Sequence, residues 1–129
     1  MVQDHLDAVW RAALAASADH DVAEEVTTAV LRAAPRDAGQ GELVRRAVLA
    51  AVRRRPAPAF AGMARAEREA VALARLAGCP VGEVAAALGI GDGAARRLLT
   101  AGLRSMRPRR AASVRRTLPP VLGCGIAAS

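Results

Sequence analysis

The stretch Glu67 to Arg107, EREAVALARLAGCPVGEVAAALGIGDGAARRLLTAGLRSMR, constrains the chain most, because glycine and proline cut it into short runs of helical period. In the first run Ala70, Leu73, Ala74 and Ala77 share a stripe widened by Val71 and Leu76, and Gly78 is placed to end it in the left-handed conformation. Pro80 can begin the second run, since the first turn of a helix leaves its N–H unused. Val81, Val84, Ala85 and Leu88 then recur at i, i+3, i+4 and i+7. Gly89 supplies a tight turn, Ile90 plugs the core and Asp92 can cap a third helix. In that helix Ala95, Leu99, Gly102, Leu103 and Met106 are expected inward, which leaves Gly93, Arg96, Arg97, Thr100 and Arg104 outward.

Short helices ending in one whose free face carries arginine have the layout of a helix-turn-helix reader of DNA. The arginine fork suits guanine or phosphate, so Arg96, Arg97 and Thr100 are the expected base-edge contacts. Arg104 and Arg107 are better placed for phosphate. An ordinary three-helix bundle with a solvated arginine face is the competing reading.

A chain of 129 residues makes one compact domain or two very small ones, without room for a large active-site cleft. Hydrophobic residues are 53% but aromatics only 2%, Trp10 and Phe60 alone, so the apolar content is mostly Ala, Val and Leu. Good helix formers without aromatic strand formers predict an all-α fold of modest stability. The formal charge is +7 and every basic side chain is arginine, a balance that suits a nucleic-acid partner. Residues 1–40 lean acidic through Asp4, Asp7, Asp19, Asp21, Glu24, Glu25 and Asp37, whereas the basic excess begins at Arg45. Two surfaces with different partners are therefore expected, against the plainer reading of solvated faces.

Cys79 and Cys124 are too few for a disulfide framework and lack zinc-site spacing. His5 and His20 have no partner at ligand spacing, no nucleophile–base constellation is evident, and the glycines of 89–93 belong to a turn without a phosphate-loop lysine. The expectation is a non-enzyme with no cofactor or metal. MVQDHLDAVW lacks the order of a signal peptide and no apolar run is long enough for a membrane span, so a cytoplasmic protein with no membrane partner is expected.

In the front half, Leu6, Val9, Trp10, Ala13 and Leu14 form one stripe of a first helix, with Trp10 as its core anchor. Asp21 and Glu24 resemble a capping box opening a second helix, with Val22, Val26, Ala29, Val30 and Ala33 buried. Glu24 and Glu25 suit the positive end of that helix. Pro35 and Asp37 to Gly41 make a loop, and a third helix runs from Glu42 with Val44, Ala47, Val48, Ala51 and Val52 inside. Arg53-Arg54-Arg55 exceeds what a helix end needs, which suggests phosphate or protein carboxylates as partners. The expected organisation is two small helical units, 1–56 and 65–107, joined by a 57–64 linker of Pro, Ala, Phe60 and Gly62 and followed by a tail, 108–129. The tail begins with Arg109, Arg110, Arg115 and Arg116 and ends apolar, suited to phosphate, simple packing or a partner.

Glu67-Arg68-Glu69, Val81-Gly82-Glu83-Val84-Ala85, Leu88-Gly89-Ile90, Asp92-Gly93 and Leu103 to Arg107 together resemble the C-terminal DNA-binding region (region 4) of sigma-70 family sigma factors, especially the extracytoplasmic-function group. The resemblance implies that the last two helices of this unit read a promoter element, with Asp92, Gly93 and the residues through Arg104 at the DNA. Asp21-Val22-Ala23-Glu24-Glu25-Val26, with Val30-Leu31-Arg32-Ala33, is similar to the acidic helix by which these factors grip RNA polymerase, which implies Asp21, Glu24 and Glu25 as polymerase contacts. Helix three, Leu43 to Arg55, sits where the family's promoter-opening helix lies, but has none of the aromatic platforms that hold unstacked bases. The expected protein is a short, sigma-like transcription factor that binds double-stranded DNA and the polymerase core. The alternatives are a non-melting sigma-like protein that acts on a regulatory protein partner, and a stand-alone helix-turn-helix regulator.

Overall fold

The structure, a computed structural model, describes residues 2–106, and among them the chain forms seven helices and no strand. They are α1 (Val2–Ser17), α2 (His20–Ala33), α3 (Gln40–Arg54), α4 (Pro58–Ala61), α5 (Arg65–Leu76), α6 (Val81–Leu88) and α7 (92–106). None of them is long and apolar enough to cross a membrane. Arg107, Cys124 and the tail lie outside the described residues.

Helix α1 packs chiefly on α3 and buries Val9, Ala12, Ala13 and Ala16. Trp10, expected as the anchor, is only half buried, and its ring leans on His20 at 5.9 Å between centroids. Leu6 stays 41% exposed. The stripe is turned toward alanine because small side chains let the α1 and α3 backbones approach. Between α1 and α2, Ala18 adopts φ 53°, a left-handed conformation unfavourable for a residue with a Cβ.

Helix α2 begins at His20 and its cap is Asp19, not Asp21: the Asp19 carboxylate accepts from the N–H groups of Asp21 at 2.9 Å and Val22 at 3.1 Å. Asp21 is instead a first-turn residue. The buried set is Ala23, Val26, Thr27 and Val30, whereas Ala29 and Ala33 are exposed. Alanine fits either side of an interface, so its positions alone do not fix a helix's rotation.

Helix α3 starts at Gln40, two residues before Glu42, with Gly39 as its cap, and buries Leu43, Ala47, Val48, Ala51 and Val52 while Val44 is half buried. Residues 57–64, expected as a linker, send three side chains into the core while Pro58, Ala59, Ala61, Gly62 and Ala64 stay exposed. The Ala57 N–H donates to the Ala16 carbonyl at 2.8 Å, Pro58 opens α4, and Ala57, Phe60 and Met63 are buried. Helix α5 then lies on α3, so one apolar core runs from α1 to α7.

Candidate nucleic-acid interface

Helices α5, α6 and α7 are separated by two left-handed glycines, Gly78 and Gly89, each with φ +66°. After Gly89 the chain folds back as a Schellman turn, in which the Ile90 N–H donates to the Ala85 carbonyl at 3.0 Å and the Gly89 N–H to the Ala86 carbonyl at 3.3 Å. Pro80 lies outside α6 as its cap, and its carbonyl accepts from the Val84 N–H at 3.0 Å. Gly91, not Asp92, caps α7: its carbonyl accepts from the Ala95 N–H at 3.0 Å, which makes Asp92 the first helical residue. Ala86 and Gly91 are exposed at this corner.

Helix α7 is held by Ala95, fully buried, and by Gly102, which lies directly on Val71 of α5. Leu98, Leu99 and Met106 pack on the core from the same side. Leu103, expected inward, is 37% exposed, because the contact is centred on Ala95 and Gly102 and turns Leu103 away from α5. Asp92, Gly93, Arg96, Arg97, Thr100 and Arg104 are all exposed. Arg96, Arg97, Thr100, Ala101 and Arg104 line an open depression of about 330 Å³. The Thr100 hydroxyl donates to the Arg96 carbonyl at 2.9 Å, so its proton is not available to a base edge.

The pairing of arginines divides the surface. Six of them, Arg45, Arg46, Arg53, Arg54, Arg55 and Arg65, make salt bridges to carboxylates of this chain. The run Arg53-Arg54-Arg55 goes one each to Glu69, Glu25 and Asp19, which answers its excess charge from within the fold. Arg96, Arg97 and Arg104, like Arg11, Arg32, Arg36, Arg68 and Arg75, form no salt bridge among the described residues, but only these three cluster on one exposed helix face.

Asp21, Glu24 and Glu25 share the exposed face of α2, around an open depression of about 560 Å³ that Thr28, Ala29 and Arg32 also line. Glu25 is tied to Arg54, while Asp21 and Glu24 have no salt bridge among the described residues. The Val22 N–H outweighs partial burial and, with the Asp21 N–H and Arg55, holds the Asp19 carboxyl below its ordinary value.

Glu69 is the charged residue that sequence reasoning passed over as a structural element. It is buried and receives Arg53 of α3 at 3.1 Å and Arg65 of α5 at 3.2 Å. Burial pushes its carboxyl up, but the two guanidinium groups more than offset that and leave it lowered. Arg65 at i−4 was a sequence signal for half of this triad; Arg53 could be found only from the fold. Cys79 is buried beside Glu83, and burial, then that carboxylate, push its thiol up, the opposite of what a reactive cysteine needs. Among the described residues no group of His, Cys, Asp and Glu could hold a metal ion. No family model, curated protein or solved structure matches this chain.

Proposed function

We propose that the protein is a DNA-binding transcription factor resembling an extracytoplasmic-function sigma factor, which meets double-stranded DNA through the outward face of α7. One observation carries this reading: Arg96, Arg97 and Arg104, none of them in a salt bridge among the described residues, stand together on the exposed side of one docked helix, whereas Arg53, Arg54 and Arg55 are each paired with a carboxylate of the chain. A cationic ridge on a rigid helix that follows a tight turn suits the major groove and its phosphates. Charged side chains kept free of internal partners retain their full attraction for a polyanion.

The test is duplex binding at several salt concentrations. Arg96→Ala with Arg97→Ala is expected to weaken binding about tenfold at moderate salt and to lower the slope of log K against log salt by about two. An unchanged slope would remove α7 from the interface.

The polymerase contact is the second half of the proposal, with Asp21 and Glu24 on the free face of α2 as its main groups. Purified polymerase core is expected to retain the protein at low salt and to release it when Asp21 and Glu24 are changed to asparagine and glutamine. The continuous packing of α3 on α5 favours a rival in which a single rigid body acts as a stand-alone regulator or through a regulatory protein. Duplex binding without retention on polymerase selects the stand-alone regulator, and retention on neither selects the protein-contact reading.

A further inference from the structure

We infer that the α7 face reads the C5-methyl groups of thymine through the Thr100 methyl and Leu103, while its arginines position the duplex; this rests on the DNA-binding reading above. At about 100° per residue, Arg96, Thr100 and Leu103 fall within a wedge of about 60°, with Arg97 and Arg104 along one edge of it. Leu103 thus lies beside Arg96 on the flank of the arginine face, where its 37% exposure leaves a large apolar side chain within reach of a docked surface.

The polar inventory of the face is narrow. Thr100 has spent its proton on the Arg96 carbonyl, which fixes the side chain and leaves an accepting oxygen and a methyl group for an incoming surface. No amide or imidazole side chain lies at 92, 93, 96, 97, 100, 103 or 104, so nothing on the face can make the paired donor–acceptor contact that identifies adenine. Gly93 contributes no side chain, and the nearest atom to a Cβ placed there is Arg97 Nη1 at 3.7 Å, so the helix start can approach the groove floor. Apolar groups on the flank of an arginine face match a thymine in the major groove, which presents its C5-methyl there. Phosphate gains nothing from Leu103 or from a threonine methyl, so these two groups serve base recognition.

The experiment selects duplexes from a random pool with the full chain, then resynthesises the bound sequence with uracil in place of thymine, which deletes only the C5-methyl groups. Thymine enrichment is expected, and each contacted methyl lost should weaken binding about fourfold, the equivalent of one buried CH₂. Thr100→Ser keeps the hydroxyl bond and removes the methyl, so it should bind the thymine duplex about fourfold more weakly and no longer distinguish the uracil duplex at that position. Thr100→Val keeps the methyl and should retain the distinction. Leu103→Ala should lose it at a second position. These residues are exposed, and an unchanged circular dichroism spectrum shows that each variant is folded. Selected sequences without thymine enrichment, or equal binding of thymine and uracil duplexes by the unaltered chain, overturn the inference while leaving DNA binding intact. Failure to select any duplex overturns both.

Discussion

Replacing Arg53 and Arg65 together with methionine is expected to cost about 3 kcal/mol of folding stability at neutral pH, whereas Glu69→Gln costs about 1 kcal/mol. The asymmetry comes from where each partner lies: the Glu69 side chain is 8% exposed, while Arg53 and Arg65 are 44% and 76% exposed. Removing the carboxylate frees two guanidinium groups that water can hydrate at once. Removing the guanidinium groups strands a carboxylate between α3 and α5, where burial opposes its charge. The pH dependence has opposite signs in the two proteins. In the unaltered chain the Glu69 carboxyl is lowered from 4.5, so its contribution is present above that value and is lost as pH falls through the folded pKa. In the double variant only burial remains, the folded pKa is raised, and the penalty is relieved as pH falls. The stability gap should therefore narrow from neutral to acidic pH. Urea unfolding of both proteins across that range is the measurement, and a pH-independent gap would falsify the assignment of Glu69 as the buried member. Because one apolar core also joins α3 to α5, both halves should unfold in one transition before and after substitution.

The helices themselves were legible because their signals are local. Gly78 and Gly89 end α5 and α6 as expected, and the period of Val84 and Ala85 gives the inner face of α6. Rotation about each axis was less legible wherever the stripe is alanine. Ala23 rather than Ala29 is buried in α2, and the α7 contact turns Leu103 outward, because a methyl-sized side chain marks neither interior nor surface. Caps slipped by one or two residues for a related reason. Asp19 and Asp21 are equally good caps in sequence, and only the turn at Ala18 decides between them. Of the candidate site, the exposed arginines of α7 were found from period alone. The partners of Arg53, Arg54 and Arg55 were not, since two of the three carboxylates lie on α2 or its cap and the third on α5, all distant in sequence. The 57–64 segment reads as a linker by its proline and glycine, yet the large apolar side chains of Phe60 and Met63 gain more from burial and draw the segment inward.

Gly102→Leu is expected to undock α7, at a cost of about 3 kcal/mol, and to weaken duplex binding at least as much as the loss of Arg96 and Arg97, although no arginine is touched. A Cβ at Gly102 would lie 2.5 Å from Val71 Cγ2 and 3.5 Å from the Glu67 carbonyl oxygen and from Met63 Sδ. Val71 is fully buried and β-branched, so it cannot swing aside as a long flexible side chain could. Gly102→Ala sets two effects against each other. Alanine favours the helix by about 1 kcal/mol, but overpacking against Val71 costs about 1–3 kcal/mol, so a net loss is expected even though glycine is the poorer helix former. Val71→Ala should remove the clash, and in its background Gly102→Ala should become neutral or stabilising, with a coupling of about 1 kcal/mol or more between the sites. Chemical denaturation of the four proteins in this cycle measures it, and additive effects would mean that close approach at Gly102 does not hold α7. The functional consequence follows from geometry. A helix that fills a major groove must be positioned to within a fraction of a side chain, and here one missing side chain sets how near α7 lies to α5 and therefore how far Arg96, Arg97 and Leu103 project.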